Sequence, residues 1–417
     1  MEHLKISDAQ RIVFETIANV GTESVSIEQA LGRVLAQDIV ANRDLPPYDI
    51  SAMDGFAIRS CDVANAQATL EVVEDIRAGD MPNVTLKAGQ CARIMTGAPI
   101  PPGADAVIRV EDTCEIAPQK IRIGKSVDCG CDIRQRGENM RCGDVVLACG
   151  TELTPGAIGV LATVKAARFD VYRRPRVAIL STGDELEALN DPIDQNRIPD
   201  SNTYALMAQV QALGIEPALL GIARDDPDEL ERFLGAGLKY DMLLVSGGTS
   251  VGVHDYVRPT IEKLGVQMKF WRVAMKPGHP LAYGVLCKGD DTRCAIFGLP
   301  GNPVSSMVCF EQFVAPALRR IMNNPRPFRR TVTAKLAHHI KMRPGRTEFI
   351  RVQLSRNETS YLASSTGTQS SGVLLSMARA DGLLIAPHDC AGLAAGETVV
   401  VQLLDGTAFQ ETIGFEE

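Results

Sequence analysis

Asp241–Asp255, DMLLVSGGTSVGVHD, decides how the rest of the chain is read. Met242-Leu243-Leu244-Val245 is a continuous apolar run closed by glycines, which predicts a strand buried on both faces of a sheet. Gly247 and Gly248 let the chain bend and let a ligand approach the backbone. The N–H groups of that turn, with the Ser246, Thr249 and Ser250 side chains, suit an anion. Gly252 leads on to His254 and Asp255, which adds a carboxylate. Two readings stand: a strand end with a tight turn, or a phosphate loop beside a Mg²⁺ carboxylate.

Two more stretches share this form. Val177–Leu180 runs into Ser181-Thr182-Gly183-Asp184-Glu185. Ala295-Ile296-Phe297 runs into Gly298-Leu299-Pro300-Gly301 and a helix capped by Asn302, with Pro303 in its first turn. Between them, Ser201 or Asn202 caps a helix, Pro217–Gly221 reads as a strand, and Asp226-Pro227 opens another helix. Strands alternating with helices predict a doubly wound α/β unit with a parallel sheet over residues 175–327. Ligands of such sheets bind outside the carboxyl ends of the strands, at a switch in strand order, so the three loops form one candidate site. Glu185 and Asp255 suit a hard cation such as Mg²⁺. Asp225 is either a further site acid or part of the helix start at Asp226. Met275-Lys276-Pro277-Gly278-His279-Pro280 is a stiff loop projecting two basic side chains; it suits a small oxyanion or serves as an ordinary turn.

Outside this unit the pattern changes. Residues 4–41 read as helical, with Ser7 or Asp8 as a cap, an end at Gly21 and a second helix over Ile27–Leu35. Prolines at 46 and 47 mark a boundary. Short apolar stretches between glycine turns then predict a β domain. Residues 141–173 turn helical at Pro155–Thr163 and return to the first segment. After Pro325-Arg326-Pro327, strand-like runs predict a small β-barrel-like domain. The expected division is a split helical domain (1–45 and 141–174), an inserted β domain (46–140), the α/β unit (175–327) and a C-terminal β domain (328–417).

A length of 417 residues requires several cores. The net charge of −8 argues against a general nucleic-acid binder. No basic-then-apolar leader pattern and no long apolar run is present, so a cytoplasmic protein without membrane contact is expected. The 11 cysteines contain no CxxC pair and are expected to be reduced; the spacing of Cys129, Cys131, Cys142 and Cys149 fits no common zinc pattern. There is no Walker A sequence, no GxGxxG and no GxSxG, so P-loop hydrolysis, dinucleotide chemistry and a serine elbow lack their usual signatures.

Taken together, the stretches resemble one family, the molybdopterin molybdenumtransferases (the bacterial MoeA proteins and the related E domain of gephyrin). The matching residues are Ser51–Ala57, Arg93–Ala98, Ser181–Leu186, Ser246–Gly252 with Asp255, Met275–Gly278 and Leu299–Ser305, in the family's order. The resemblance implies a homodimer that takes adenylylated molybdopterin and molybdate, inserts molybdenum at the dithiolene with Mg²⁺, and releases AMP. It assigns Asp54, Thr96, Glu185, Asp225 and Asp255 to catalysis, with Glu185 and Asp255 on the metal. It places Ser181, Thr182, Gly183, Ser246, Gly247, Gly248, Ser250, Gly252, Pro300, Gly301, Asn302 and Pro303 around the pterin nucleotide. Lys276, Arg346 and Ser371 match molybdate-binding positions, with Ser370 as the alternative to Ser371. His279 stands where the family usually has a second lysine, and is expected to touch molybdate too. Implied partners are the molybdopterin adenylyltransferase and acceptor molybdoenzymes. A molybdopterin adenylyltransferase-like activity and a non-enzymatic scaffold are the competing readings.

Overall fold

The computed structural model describes residues 4–64, 67–248, 256–288, 291–356 and 360–404. Its centre is a six-stranded sheet in the order Ala218–Ala223, Val177–Thr182, Met242–Ser246, Asp291–Leu299, Ala282–Lys288, Gln267–Phe270. The first four strands are parallel, and Val177–Thr182 and Met242–Ser246 are buried along their whole length. The last two strands depart from the expected all-parallel sheet. Ala282–Lys288 runs antiparallel to Asp291–Leu299, and Gln267–Phe270 antiparallel to Ala282–Lys288. No helix separates these strands, and a parallel pairing needs a crossover.

Helices cover both faces of this sheet. On one, Leu206 and Val210 of helix Ser201–Gln211 pack with Val304, Val308, Phe310 and Phe313. On the other, Leu230 and Leu234 of helix Pro227–Gly237 meet Val257 and Ile261 of helix Val257–Lys263. Asp226 caps its helix as expected, accepting from the Glu229 N–H. The Ser201/Asn202 reading is corrected. The cap is Asp200, which accepts from the Thr203 N–H, and Asn202 is released for another task.

The first helix is Ile6–Thr16, five residues shorter than the stop at Gly21 implied, and neither Ser7 nor Asp8 caps it. Its Ala9 and Val13 pack into the α/β core. The expected helix at 27–35 is only a 3₁₀ turn, Ile27–Gln29, after a strand, Thr22–Ser26. That strand pairs with Arg168–Tyr172, and Ile39–Val40 pairs with Val145–Leu147. Together with helix Pro155–Thr163 they enclose a separate apolar core of Leu35, Leu161 and Val171. These pairings bring residues 22–40 and 145–172 together, with more strand and less helix than expected. Gly32 at φ +72° explains part of the difference, because a left-handed residue stops helix growth there.

The inserted domain is a six-stranded sheet in the order Ala106–Arg109, Gly55–Ile58, Gln90–Ile94, Thr69–Ile76, Lys120–Ile123, Thr113–Ala117. Apolar clusters cover both faces, one holding Phe56 and Ile58, the other Ala57 and Ile94. The C-terminal domain is a closed five-stranded barrel. Thr347–Arg356, Tyr361–Ser365, Thr331–Leu336, Thr398–Leu403 and Gly382–Ala386 pair in turn, and the last returns to the first. A sixth, two-residue strand, Met275–Lys276, comes from the α/β unit and pairs in parallel with Thr347 and Glu348.

The joint between barrel and α/β unit is built on a π turn, Phe310–Val314, inside the helical run from Pro303 to Ile321. Glu311 accepts from Arg329 at 2.7 Å and from Gln209 at 2.8 Å. Gln312 donates to Gln402 of the barrel at 2.8 Å and accepts at its carbonyl from Gln10 of the first helix at 2.9 Å. All 11 cysteines are free thiols, and among the described residues no three His, Cys, Asp or Glu side chains gather as a metal site.

Gly55 gives a test of the inserted sheet. A Cβ there would stand 1.9 Å from the Ile108 carbonyl oxygen, a main-chain atom of the paired strand. Gly55→Ala should break that pairing and cost about 3 kcal/mol or more. Limited proteolysis should cut the inserted domain first, while the α/β unit stays resistant.

Candidate functional site

The parallel ladders set the site. Ser181 is the cross-strand partner of Ser246, and Ser246 of Leu299, so the three following loops leave the sheet at one level. Strand order reverses here: from Val177–Thr182 the chain passes to Ala218–Ala223 on one side, then to Met242–Ser246 on the other. That is the switch point where open α/β sheets bind ligands.

Three polar side chains stitch the loops. Ser181 donates to Asp200 at 2.9 Å and shares a hydrogen bond with Thr203, also at 2.9 Å. The Asn202 amide donates to Ser246 Oγ at 2.8 Å and to the Gly301 carbonyl at 2.8 Å, joining two loops that are distant in sequence. Arg224 Nη1 donates to the carbonyls of Leu186 at 3.0 Å, Asp184 at 3.2 Å and Gly183 at 3.4 Å, which fixes the turn carrying Glu185. The Asp225 N–H adds a bond to Asp184 Oδ1 at 3.3 Å. Glu185 is exposed, and its carboxylate lies over Gly183, where a Cβ would stand 2.3 Å from Oε2.

Gly247 and Gly248 have φ of +96° and +61°, which side chains other than glycine rarely adopt. Cβ atoms there would stand 2.5 Å from the Thr182 carbonyl oxygen and 2.2 Å from Val257 Cγ2. A Cβ on Gly301 would meet nothing nearer than Gly247 Cα at 3.9 Å, an ordinary contact, so the two loops lie side by side. Facing Gly247 and Gly248 is the Thr182 hydroxyl. Thr182 is 3% exposed and, among the described residues, its Oγ1 has no hydrogen-bond partner. Buried hydroxyls are nearly always paired, so this one marks a place for a ligand atom. Ser250, Gly252 and Asp255 lie outside the described residues.

Beside these loops is a cleft of about 360 Å³ between the α/β unit and its own barrel. Lys276, His279, Pro300 and Asn302 line it from one side, Arg346, Ser370 and Ser371 from the other. The Lys276–Pro277 peptide bond is cis. Lys276 Nζ donates to both carboxylate oxygens of Glu348, at 3.0 and 3.2 Å. His279 Nδ1 lies 2.8 Å from the Val273 carbonyl oxygen. A carbonyl only accepts, so Nδ1 carries the proton and donates it. Beneath the loop, Cys309 Sγ donates to the Gly278 carbonyl at 3.5 Å; burial pushes this thiol up, so it stays a neutral donor. Arg346 is exposed and makes no hydrogen bond or ion pair among the described residues.

The Ser371 side of the cleft is held by two contacts. Its carbonyl accepts from the Val304 N–H at 3.1 Å, seating the barrel loop on the start of helix Pro303–Cys309. Arg351, 1% exposed, donates to the Ser370 carbonyl at 3.2 Å and to Ser376 Oγ at 3.2 Å. Gln369 accepts from the Arg351 N–H at 2.9 Å. Burial alone lowers the Arg351 guanidinium to about 10. Asp54 and Thr96 are elsewhere, exposed on the inserted domain, and line no part of this cleft. The Thr96 N–H and hydroxyl donate to Asp54 Oδ1 at 2.7 and 2.9 Å and hold its carboxyl below the ordinary range. Sequence reasoning missed Asn202, Arg224, Glu348, Gln369 and Arg351. Asn202, Glu348 and Arg351 are buried polar side chains, a signal visible only in the fold, while half-buried Arg224 and Gln369 are found only through their hydrogen bonds.

Comparison with known proteins adds three family matches: the MoeA N-terminal region (domain I and II) over residues 4–164, a probable molybdopterin binding domain over 178–320, and the MoeA C-terminal region (domain IV) over 333–404. The molybdopterin molybdenumtransferase of Nostoc sp. is 35% identical over 95% of this chain and 93% of its own. That of Bacillus subtilis is also 35% identical, over 96% and 94%. A crystal structure of the molybdopterin biosynthesis MoeA protein of Pyrococcus horikoshii superimposes with a TM-score of 0.83 at 30% identity, covering 97% of this chain and all of that one.

The unpaired Thr182 hydroxyl makes Thr182→Val informative. It removes a buried polar group with no partner, a type of group that costs about 1–3 kcal/mol. The melting temperature of the ligand-free protein should stay level or rise. Ser181→Ala, which breaks two buried hydrogen bonds, should lower it. Differential scanning calorimetry separates the two, and a fall for Thr182→Val would show that the hydroxyl is already satisfied.

Proposed function

The chain belongs to the MoeA family of molybdopterin molybdenumtransferases, and on that premise we propose that it is a transferase of molybdenum cofactor biosynthesis that takes adenylylated molybdopterin and molybdate, inserts molybdenum at the dithiolene and releases AMP. One observation carries this reading: the loop Pro300–Asn302 is a wall of two sites at once. Pro300 and Asn302 line the cleft of Lys276, His279 and Arg346, and the Gly301 carbonyl is tied through Asn202 to the glycine loop at Ser246. A cationic cleft sharing a wall with a phosphate-type loop suits an oxyanion handed to a pterin nucleotide.

In this reading Lys276 and Arg346 bind molybdate, a compact dianion, through charge-assisted hydrogen bonds, and Ser371 or Ser370 donates a neutral one. The Gly248 N–H, with the Ser246 and Thr182 hydroxyls, receives the phosphate or pterin, while the Gly247 N–H already donates to the Leu299 carbonyl. The chain's contribution is mainly positioning and charge compensation, with no covalent enzyme intermediate. Glu185 and Asp225 offer hard oxygen donors on one edge, and Asp255 would add a third. One or two carboxylates plus substrate oxygens are a usual Mg²⁺ donor set. When bound, Mg²⁺ would offset charge on the phosphate under attack.

The Asp54–Thr96 pair enters through a second copy of the chain. Its exposure on the inserted domain, away from the cleft, supports a homodimer in which one subunit's pair faces the other's loops. Small molecules, the adenylyltransferase and acceptor molybdoenzymes are the proposed partners. No helix among the described residues is long and apolar enough to cross a membrane.

Purified protein mixed with adenylylated molybdopterin, molybdate and Mg²⁺ should release AMP only when molybdate is present. Formation of adenylylated pterin from ATP would support an adenylyltransferase instead, and neither product a scaffold. Lys276→Gln should lower molybdate-dependent AMP release by about tenfold or more, the scale of losing one charge-assisted bond. His279 should make molybdate binding depend on pH. A protonated imidazole attracts a dianion and a neutral one does not, so affinity should fall as pH rises. His279→Lys should keep its affinity to well above neutrality. Titration of both proteins from pH 5.5 to 8.5 checks this, and coincident profiles would refute it.

A further inference from the structure

Glu348 has no place in the reading above, yet among the described residues it is the acid ion-paired with the cleft's lysine. It lies on barrel strand Thr347–Arg356 and its side chain is 11% exposed, against 51% for Lys276. Both carboxylate oxygens accept from Lys276 Nζ, at 3.0 and 3.2 Å. The two residues are register partners in the strand pair that joins the α/β unit to the barrel. Arg346 stands two residues earlier and makes no ion pair among the described residues. The cleft therefore presents two fixed cations, one of them already matched by a buried anion. The remaining titratable group is His279, on the Lys276 loop.

A site built only to hold a dianion gains nothing from a buried carboxylate behind its lysine. A site that must release the oxyanion to a second substrate does gain. Binding the ground state as tightly as possible would lower the energy from which transfer starts and slow the step. A short ion pair also restrains a flexible lysine stem without occupying the open side of the ammonium.

We propose that Glu348 is a positioning and specificity residue that holds Lys276 and sets the net charge of the cleft, keeping its grip on molybdate at a strength that permits transfer. The proposal rests on reading the cleft as the molybdate site.

The test uses two tetrahedral oxyanions that differ in charge, molybdate (−2) and perrhenate (−1). Each is titrated calorimetrically into the full-length protein at pH 8 and low salt. Glu348→Gln keeps an acceptor for Lys276 and removes one negative charge. Coulomb energy scales with ligand charge, so the gain for the dianion should be the square of that for the monoanion. Molybdate Kd should fall about tenfold and perrhenate Kd about threefold, the scale of one charge partly screened at the rim of a protein. Glu348→Asp should leave the molybdate-to-perrhenate ratio within about twofold of wild type, since the charge remains. Glu348→Thr removes the same charge with a residue suited to a strand and serves where the glutamine protein fails to fold. Equal weakening of both anions in Glu348→Gln would reduce Glu348 to a prop for Lys276 and overturn the proposal, as would an unchanged ratio. Wild-type protein that binds neither anion would remove the molybdate reading itself, and the proposal with it.

Discussion

The register between three parallel strands governs this molecule. Ser181, Ser246 and Leu299 stand side by side in one ladder. A one-step slip in any pairing would exchange the side chains between the two buried faces and carry its loop away from the others. That register is secured by apolar packing on both faces, so the polar loops need supply no stability of their own. They are free to hold glycines at positive φ, an unpaired hydroxyl at Thr182, an exposed acid at Glu185 and a half-buried one at Asp225. The cost of these features is met by the strands beneath.

The cleft is assembled differently. Its basic side chains come from two folding units, Lys276 and His279 from the α/β unit and Arg346 from the barrel. The gap between those units sets its width. Several polar contacts fix the gap: Gln312 to Gln402, Glu311 to Arg329, the Ser371 carbonyl to Val304, and Lys276 to Glu348. Two of them depend on the π turn, whose extra residue turns Glu311 and Gln312 in different directions. Glu311 and Gln312 are buried, so their contacts carry more weight than a surface ion pair does.

Much of this was legible in the chain. Buried strands announce themselves as apolar runs, and Met242–Ser246 and Val177–Thr182 lie where the runs placed them. Helix Pro155–Thr163 was read to the residue, because Pro at its start and a polar cap before it are local signals. What failed was competition between equivalent local signals. Asp200, Ser201 and Asn202 can each cap a helix, and tertiary contact with Ser246 and Gly301 decided the choice. The segment at 27–35 has helix-forming residues, but its partner across the insertion, Arg168–Tyr172, is more than 130 positions away and draws Thr22–Ser26 into a strand. Glu348 and Arg351 look like ordinary strand charges until burial is known. The motif residues of the site were readable as a set; the buried side chains that hold them were not, because their roles depend on partners distant in sequence.

The two-residue strand Met275–Lys276 has a consequence for how this chain can be rearranged. It belongs by sequence to one unit and by pairing to another. Cutting and regrafting at the proline-rich link after residue 324 would look clean, since the barrel's five strands close on themselves. Yet the transplanted barrel would arrive with the backbone of Thr347 and Glu348 unpaired at one edge and a carboxylate stripped of its lysine. The donor would keep a lysine loop with nothing to lie against. Recombination between relatives at that link therefore succeeds only when both halves keep the same residues at 276 and 348, so the two units inherit as one.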